Sequence, residues 1–347
     1  MVATLVFSQN NIVNLNNGNN QLAYQFPNSV SFPNHEIAIQ NISMYYSWVN
    51  INATTLQNNT FYYVWYVGAT LTQFPVVIPD GLYEISTINS FLQFTMIANG
   101  HYVYDNTTSN NVYFAELVVN PSDYSVQINT YNVPYQLNVS SGTTITIGTQ
   151  SYTTPSNWVA PTPSSSASNS FIPTITMCNP SILGGVVGSS HTYTNFYKVV
   201  GFPPLWSSYN TGTITSPVYN YGAISYTGSA GSGLNTSAIS TTAPAVQPNP
   251  TLFFAISNID NKYSNPSTIV YQMNANVAFG SLISITPPQF AFNKLIPGTY
   301  NGLRLAILGT NLQPINIIDP AMTITMVIRD RKDVSLADAL NQATGGK

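Results

Sequence analysis

The sequence predicts an all-β protein, a sandwich or barrel with little helix; a single jelly-roll β-sandwich with elaborated loops or a small inserted β subdomain suits the strand count. Three observations predict it. Short runs along the 347 residues alternate apolar and polar positions, the period of a strand with one buried face. The 23 prolines and 21 glycines fall mainly between those runs, where Pro removes a ladder donor and Gly tolerates positive φ. Only one segment before the C-terminus has convincing helical spacing.

In chain order, ATLVF (3–7) is a short strand, followed by the Asn-rich turn region NNIVNLNNGNN. HEIAIQNISMYYSWV (35–49) is a long strand whose apolar phase switches midway. Ile37 and Ile39 are odd, whereas Ile42, Met44, Tyr46 and Trp48 are even, so a β-bulge near Gln40-Asn41 is expected. FYYVWYVG (61–68) is aromatic on both faces. It is either a central strand covered on both sides or a strand facing a neighbouring subunit.

The helix comes next. Ile85, Ile88, Phe91, Leu92 and Thr95-Met96 recur at three- and four-residue spacing, with Asn99-Gly100 as the stop. Strands follow at 112–119 and 123–132. In the second, Tyr124, Val126 and Ile128 alternate with Ser125, Gln127 and Asn129, which predicts one wet face. Shorter strands are expected at 135–139 and 143–147.

Residues 153–170 are low-complexity loop, and 207–250 are again rich in Ser, Thr, Gly and Pro. Between them, FIPTITM and TNFYKVVGF supply apolar anchors. TLFFAISNI (251–259) opens the last block of strands. In 275–330, Val277, Phe279, Ile283 and Ile285 share one face, as do Leu303, Leu305 and Ile307, and Ile324, Met326 and Ile328. Pro287-Pro288, Pro297-Gly298, Gly309, Pro314 and Asp319-Pro320 break these runs. The expected organisation is one jelly-roll domain over 1–333, with 153–170 and 207–250 as loop or insertion segments. A short helical or flexible tail, 334–347, carries a helix at Val334–Gln342.

Charge is the compositional outlier. Asp, Glu, Lys and Arg make up 5% of the chain, against roughly 25% in ordinary soluble domains. Asn, Ser and Thr take their place. Neutral amides and hydroxyls cost less to desolvate than ions, so such a surface suits extensive permanent protein contact. A secreted protein coated in sugar is the other reading. Six sequons occur, at Asn41, Asn52, Asn58, Asn106, Asn138 and Asn235. MVATLVFSQNN lacks the basic region and apolar core of a secretory signal, so they are expected to be unused. The net charge of −3 creates no basic field for nucleic acid or anionic membrane. No run reaches the roughly 20 apolar residues of a membrane span. The single cysteine, Cys178, excludes an intrachain disulfide and is expected to be a buried thiol.

Chemistry-bearing patterns are sparse. His35-Glu36 begins like a zinc-protease motif, but position 39 is Ile and the segment reads as a strand. His101 and His191 stand alone. Gly184–Ser190 lacks the lysine of a phosphate loop, and GSAGSG at 228–233 is no nucleophile elbow. With three glutamates (Glu36, Glu84, Glu116), a carboxylate-pair hydrolase would need the aspartates. Asp80, Asp105, Asp123, Asp260 and Asp319 sit where turn chemistry explains them. No enzyme, cofactor or metal site is expected. One charged cluster stands out: Arg329, Arg331 and Lys332, interleaved with Asp330 and Asp333. It is either a solvated strand end or a contact to a neighbouring subunit or the genome side of a shell, and the mixed signs argue against a phosphate patch.

Several segments resemble the penton, or minor capsid, proteins of virophages and Polinton-like DNA viruses. They are ISMYYSWVNI (42–51), NNTFYYVWYVG (58–68), IPDGLYEISTINSFLQFTM (78–96), FYKVVGF (196–202), NKYSNPSTIVYQMNANVAFGSLISITPPQFAFN (261–293), GTYNGLRLAI (298–307) and IIDPAMTITMVI (317–328). The loops at 153–170 and 207–250 carry no such likeness. The resemblance implies a single jelly-roll subunit that forms homopentamers at the fivefold vertices of an icosahedral double-stranded DNA virus. Its partners would be trimers of a double jelly-roll major capsid protein and other minor capsid proteins. It would reside in the virion capsid, assembled in the host cytoplasm or nucleus, and it implies no catalytic residues. The stretches 61–67 and 42–49 are candidate subunit faces. A β-sandwich attachment protein that binds a receptor or glycan through its polar loops is the alternative, and a β-fold hydrolase is the third reading.

Overall fold

The structure, a computed structural model, describes residues 2–14, 20–163, 170–179, 192–203, 236–247, 249–259, 261–262, 264–315 and 317–331. The chain divides into two compact units, Met1–Trp48 with Gln247–Lys347, and Val49–Val246. Residues 49–246 close a hydrophobic core of their own, and among the described residues no strand pairing crosses the boundary. The expected helix at Val334–Gln342 lies outside the described residues.

The first unit contains eight principal strands: β1 (Val2–Ser8), β2 (Asn20–Phe32), β3 (His35–Tyr45), β4 (Thr251–Ile256), β5 (Ile269–Asn274), β6 (Leu282–Ile285), β7 (Gly298–Leu308) and β8 (Thr323–Asp330). One sheet runs β1-β8-β3-β6 and the other β5-β4-β7-β2. All of these pairings are antiparallel. The pairs β1·β8, β2·β7, β3·β6 and β4·β5 are the rungs of one long antiparallel ribbon. Folding that ribbon over itself adds β8·β3 and β7·β4, which is the jelly roll. The sandwich is therefore read directly from strand order.

Alternation explains which faces meet. Leu5, Phe7, Ile37, Ile39, Ile42, Met44, Ile283, Ile324, Met326 and Ile328 are buried from the first sheet, and Leu22, Phe32, Leu252, Phe254, Ile256, Val270, Met273, Leu303, Leu305 and Ile307 from the second. Phe7 and Tyr24 make an edge contact between the sheets at 5.9 Å. Each fully buried Leu, Ile or Phe contributes roughly 1.5–3 kcal/mol. The phase switch in β3 is a bulge: Ile39 pairs with Met326 and Asn41 with Thr325, leaving Gln40 over. The extra residue keeps both Ile39 and Ile42 inward. Val277 and Phe279 are not on a strand, contrary to expectation. The strand there is only Leu282–Ile285, and Phe279 is half exposed.

The unit Val49–Val246 is built from small sheets around helix α1 (Ile85–Asn99). Thr60–Val67 is the middle strand between Thr174–Thr176 and Thr70–Val77. Phe61, Tyr63 and Trp65 point into the core, so this stretch is a central strand and those aromatics are not a subunit face. The same holds for Ile42, Met44, Tyr46 and Trp48, all buried within the first unit. The helix buries Ile85, Ile88, Leu92 and Met96 and packs against the strands Ala115–Asn120 and Thr70–Val77. The expected strand at 135–139 is instead a 3-10 turn, Tyr135–Leu137, following Pro134.

Gly100 ends α1 in the left-handed region at φ 74°, and a Cβ there would sit 2.6 Å from the Asn157 carbonyl oxygen. Both facts exclude a side chain. Gly100→Ala should therefore destabilise this unit by more than about 1 kcal/mol, measured as the urea midpoint at unchanged m-value.

The expected wet face of Ser125–Thr130 is absent. All six residues are buried, because the strand is the middle one, between Thr236–Ile239 and Ala115–Asn120. Its amides are paired instead of solvated, and that network shapes a site described below.

Candidate functional site

The charged cluster read from the sequence lies where β3 starts and β8 ends. Register places Arg329 opposite Glu36 and Asp330 opposite His35. Arg329 Nε donates to Glu36 Oε1 at 2.6 Å, and His35 Nε2 lies 2.8 Å from Asp330 Oδ1. The Arg329 guanidinium also sits 3.5 Å from the centroid of the Phe292 ring, a cation–π contact. Arg331 ties the strand end to the preceding turn: its N–H donates to the Asn34 carbonyl, 3.0 Å, and its own carbonyl accepts from Asn34 Nδ2, 3.2 Å. Lys332 lies outside the described residues.

The structure adds two cations the sequence did not group with these. Lys262, Lys294 and Arg331 line one open cleft of about 540 Å³, with Glu36 and Phe292 on its wall. The pairing of Asn293–Lys294 with Glu36–Ile37 brings Lys294 there. No local spacing signals this, since the residues lie on four separate chain segments. Arg329 is an ion-pair and stacking residue, so it is not a bare cation. An exposed pair of this kind is worth about 0–1 kcal/mol. Arg329→Ala should lower the unit's stability by no more than about 1 kcal/mol, with added salt shrinking the difference between variant and parent.

At the other end of β3 the surface is apolar. Tyr45 and Leu282 are cross-strand partners, 42% and 49% exposed, and Ile318 is 65% exposed. Asp319 holds this corner: its Oδ2 accepts from the Tyr45 N–H at 2.6 Å and its Oδ1 from the Ala321 N–H at 2.8 Å. Ile318 N–H donates to Ser47 Oγ at 3.1 Å.

The other carboxylates do the turn work read from the sequence. Asp80 accepts from Asn52 Nδ2 and Ala53 N–H, Asp123 from Ser125, and Asp105 from Thr107 and Thr108. Those turn hydrogen bonds outweigh desolvation and hold the Asp105 carboxyl below the usual range. Asp260, His191, Gly184–Ser190, residues 228–233 and the side chain of Cys178 lie outside what is described. Asn58 is buried and donates to the Asn50 carbonyl at 2.7 Å, so this sequon is occupied by structure.

His101 is a core residue. It stacks on Trp65 at 4.7 Å, meets Phe74 edge-on at 4.6 Å, and its Nδ1 lies 2.8 Å from the Tyr63 hydroxyl. Burial pushes its pKa down to about 3, so the ring is neutral at physiological pH. Burial, partly offset by a hydrogen bond with Asn99, raises the Tyr63 hydroxyl. Among the described residues no group of three or more His, Cys, Asp or Glu could hold a metal ion. No described helix is long and apolar enough to cross a membrane.

Among the solved structures similar to this chain are the following two. One is the crystal structure of the mavirus penton protein, with 6% identity over 94% of this chain and 98% of that one, at a TM-score of 0.35. The other is a chain of the Sputnik virophage structure determined by cryo-electron microscopy, with 10% identity over 97% and 99%, at a TM-score of 0.32. No protein-family model and no curated protein matches the sequence. Identity at this level transfers no residue's role to this chain.

Proposed function

We propose that this protein is a structural capsid subunit of the penton type, assembling as a homopentamer at the fivefold vertices of an icosahedral double-stranded DNA virus. The observation that carries the reading is the union of a complete jelly-roll strand order with a chain of which only 5% is charged. A sandwich of this kind is rigid, and its neutral amides and hydroxyls can be buried against neighbours at low desolvation cost. Trimers of a double jelly-roll major capsid protein are the proposed neighbours around the vertex.

A fivefold ring repeats one head-to-tail interface, so each subunit presents two different complementary faces. The exposed Tyr45, Leu282 and Ile318 corner supplies apolar area for one. The cleft with Lys262, Lys294 and Arg331 supplies a polar, cationic surface for a second contact, to a neighbouring subunit or toward the genome side. Native mass spectrometry of the purified protein tests the ring. Five copies are expected, and Leu282→Asp with Ile318→Asp should return monomers with unchanged circular dichroism. A trimer, or a ring indifferent to both substitutions, would count against the assignment.

A further inference from the structure

In the unit Val49–Val246, the strand Ala115–Asn120 carries Glu116, which is 9% exposed. Its Oε1 accepts two hydrogen bonds, from Asn129 Nδ2 at 2.8 Å and from the Tyr131 hydroxyl. Asn129 is fixed in turn: its Oδ1 accepts from Gln127 Nε2 and Ser237 Oγ, both at 2.7 Å. Both bonds to Glu116 fall on Oε1. No hydrogen bond among the described residues reaches Oε2, and Glu116 lines a cleft of about 470 Å³. Burial raises the Glu116 carboxyl, and the bonds from Tyr131 and Asn129 counter that rise.

The cleft wall is mostly polar. Gln93, Asn110, Asn111 and Gln150 line it with amides, Tyr113 with a half-buried ring, and Asp105 with a second carboxylate, but among the described residues no Lys, Arg or His reaches it. Both oxygens of Asp105 already accept from Thr107 and Thr108, so Glu116 Oε2 is the acceptor left to a ligand. A buried carboxylate oxygen beside side-chain amides and an aromatic ring matches a neutral, hydroxyl-rich ligand. Hydroxyls donate to the carboxylate, amides exchange hydrogen bonds with ring oxygens and hydroxyls, and the tyrosine covers apolar C–H faces. An anionic ligand would meet two carboxylates and no cation.

We propose that this cleft binds a neutral saccharide, with Glu116 Oε2 as its fixed acceptor. The Val49–Val246 unit alone supplies the site, independently of the capsid reading.

Glu116→Gln is the discriminating variant. Its Oε1 can still accept from Asn129 and Tyr131, while its Nε2 replaces the acceptor in the cleft by a donor. The intact protein is applied to an array of neutral and sialylated oligosaccharides, and the best neutral probe is titrated by calorimetry. Binding to neutral probes is expected, with affinity falling about tenfold or more in Glu116→Gln at unchanged melting temperature. Asn111→Ala, an exposed position, should weaken binding without touching the buried network. Failure to bind any neutral probe at millimolar concentration would overturn the proposal. So would equal binding of sialylated probes, binding insensitive to both substitutions, or calcium binding that Glu116→Gln abolishes in the absence of sugar. Native mass spectrometry of the same samples reads the oligomer separately, so either outcome can be scored apart from the pentamer.

Discussion

Leu305→Ala should lower the unfolding free energy of the jelly-roll unit by about 2–5 kcal/mol. Leu305 is fully buried on β7, and β7 is paired on both edges, opposite Ile256 on β4 and Leu22 on β2. A strand fixed on both sides collapses little around a deletion, which places the cost toward the upper part of that range. Chemical denaturation gives the value, with the m-value reporting whether the exposed surface changes. A loss below about 1 kcal/mol would mean that the two sheets do not share the core described.

Acid should destabilise the Val49–Val246 unit through His101. Its folded pKa, about 3, lies below the ordinary 6.5, so the unfolded chain binds more protons between those values. Stability then falls as pH falls through that window. A tenfold difference in proton affinity is worth about 1.4 kcal/mol, so the full window carries on the order of 5 kcal/mol. Well above pH 6.5, where the unfolded chain's histidine is also neutral, the residue contributes no slope. His101→Phe keeps a flat ring between Trp65 and Phe74 but removes the ring nitrogen that shares a hydrogen bond with the Tyr63 hydroxyl. That variant should be less stable at neutral pH and should lose most of the slope below it. Denaturant melts from about pH 7 to about pH 4 read both quantities, and an unchanged slope in His101→Phe would contradict the assignment.

Local pattern carried much of the fold. Alternation placed Leu303, Leu305, Ile307, Ile324, Met326 and Ile328 inward, and the phase switch in β3 located the bulge at Gln40. Three- and four-residue spacing with Gly100 defined α1. Pairing was not legible in the same way. That β1 closes on β8, more than three hundred residues later, depends on the whole sandwich. Nothing around Val49 or Val246 marks a domain boundary, since both units draw on the same charge-poor residues. The strand Ser125–Thr130 shows the limit of reading polarity as exposure. Gln127 and Asn129 alternate like solvent-facing residues, yet a third strand and Glu116 bury and satisfy them.

The candidate surfaces divide the same way. Arg329 and Asp330 were visible as a cluster, whereas their partners Glu36 and His35 came from register. Lys262 and Lys294 join that end only through tertiary structure. Within the aromatic stretches 61–67 and 42–49, Phe61, Tyr63, Trp65, Tyr46 and Trp48 are core, whereas Tyr45 is exposed. Ile318 sits in an irregular segment, where no period distinguishes outward from inward.

Cryo-electron microscopy of the particles that contain this protein tests the central proposal most directly. A fivefold-averaged map should show five jelly rolls at each vertex, with strand order β1-β8-β3-β6 and β5-β4-β7-β2 traceable in each. Vertices filled by another chain, or this protein found only as a peripheral decoration of the shell, would contradict it.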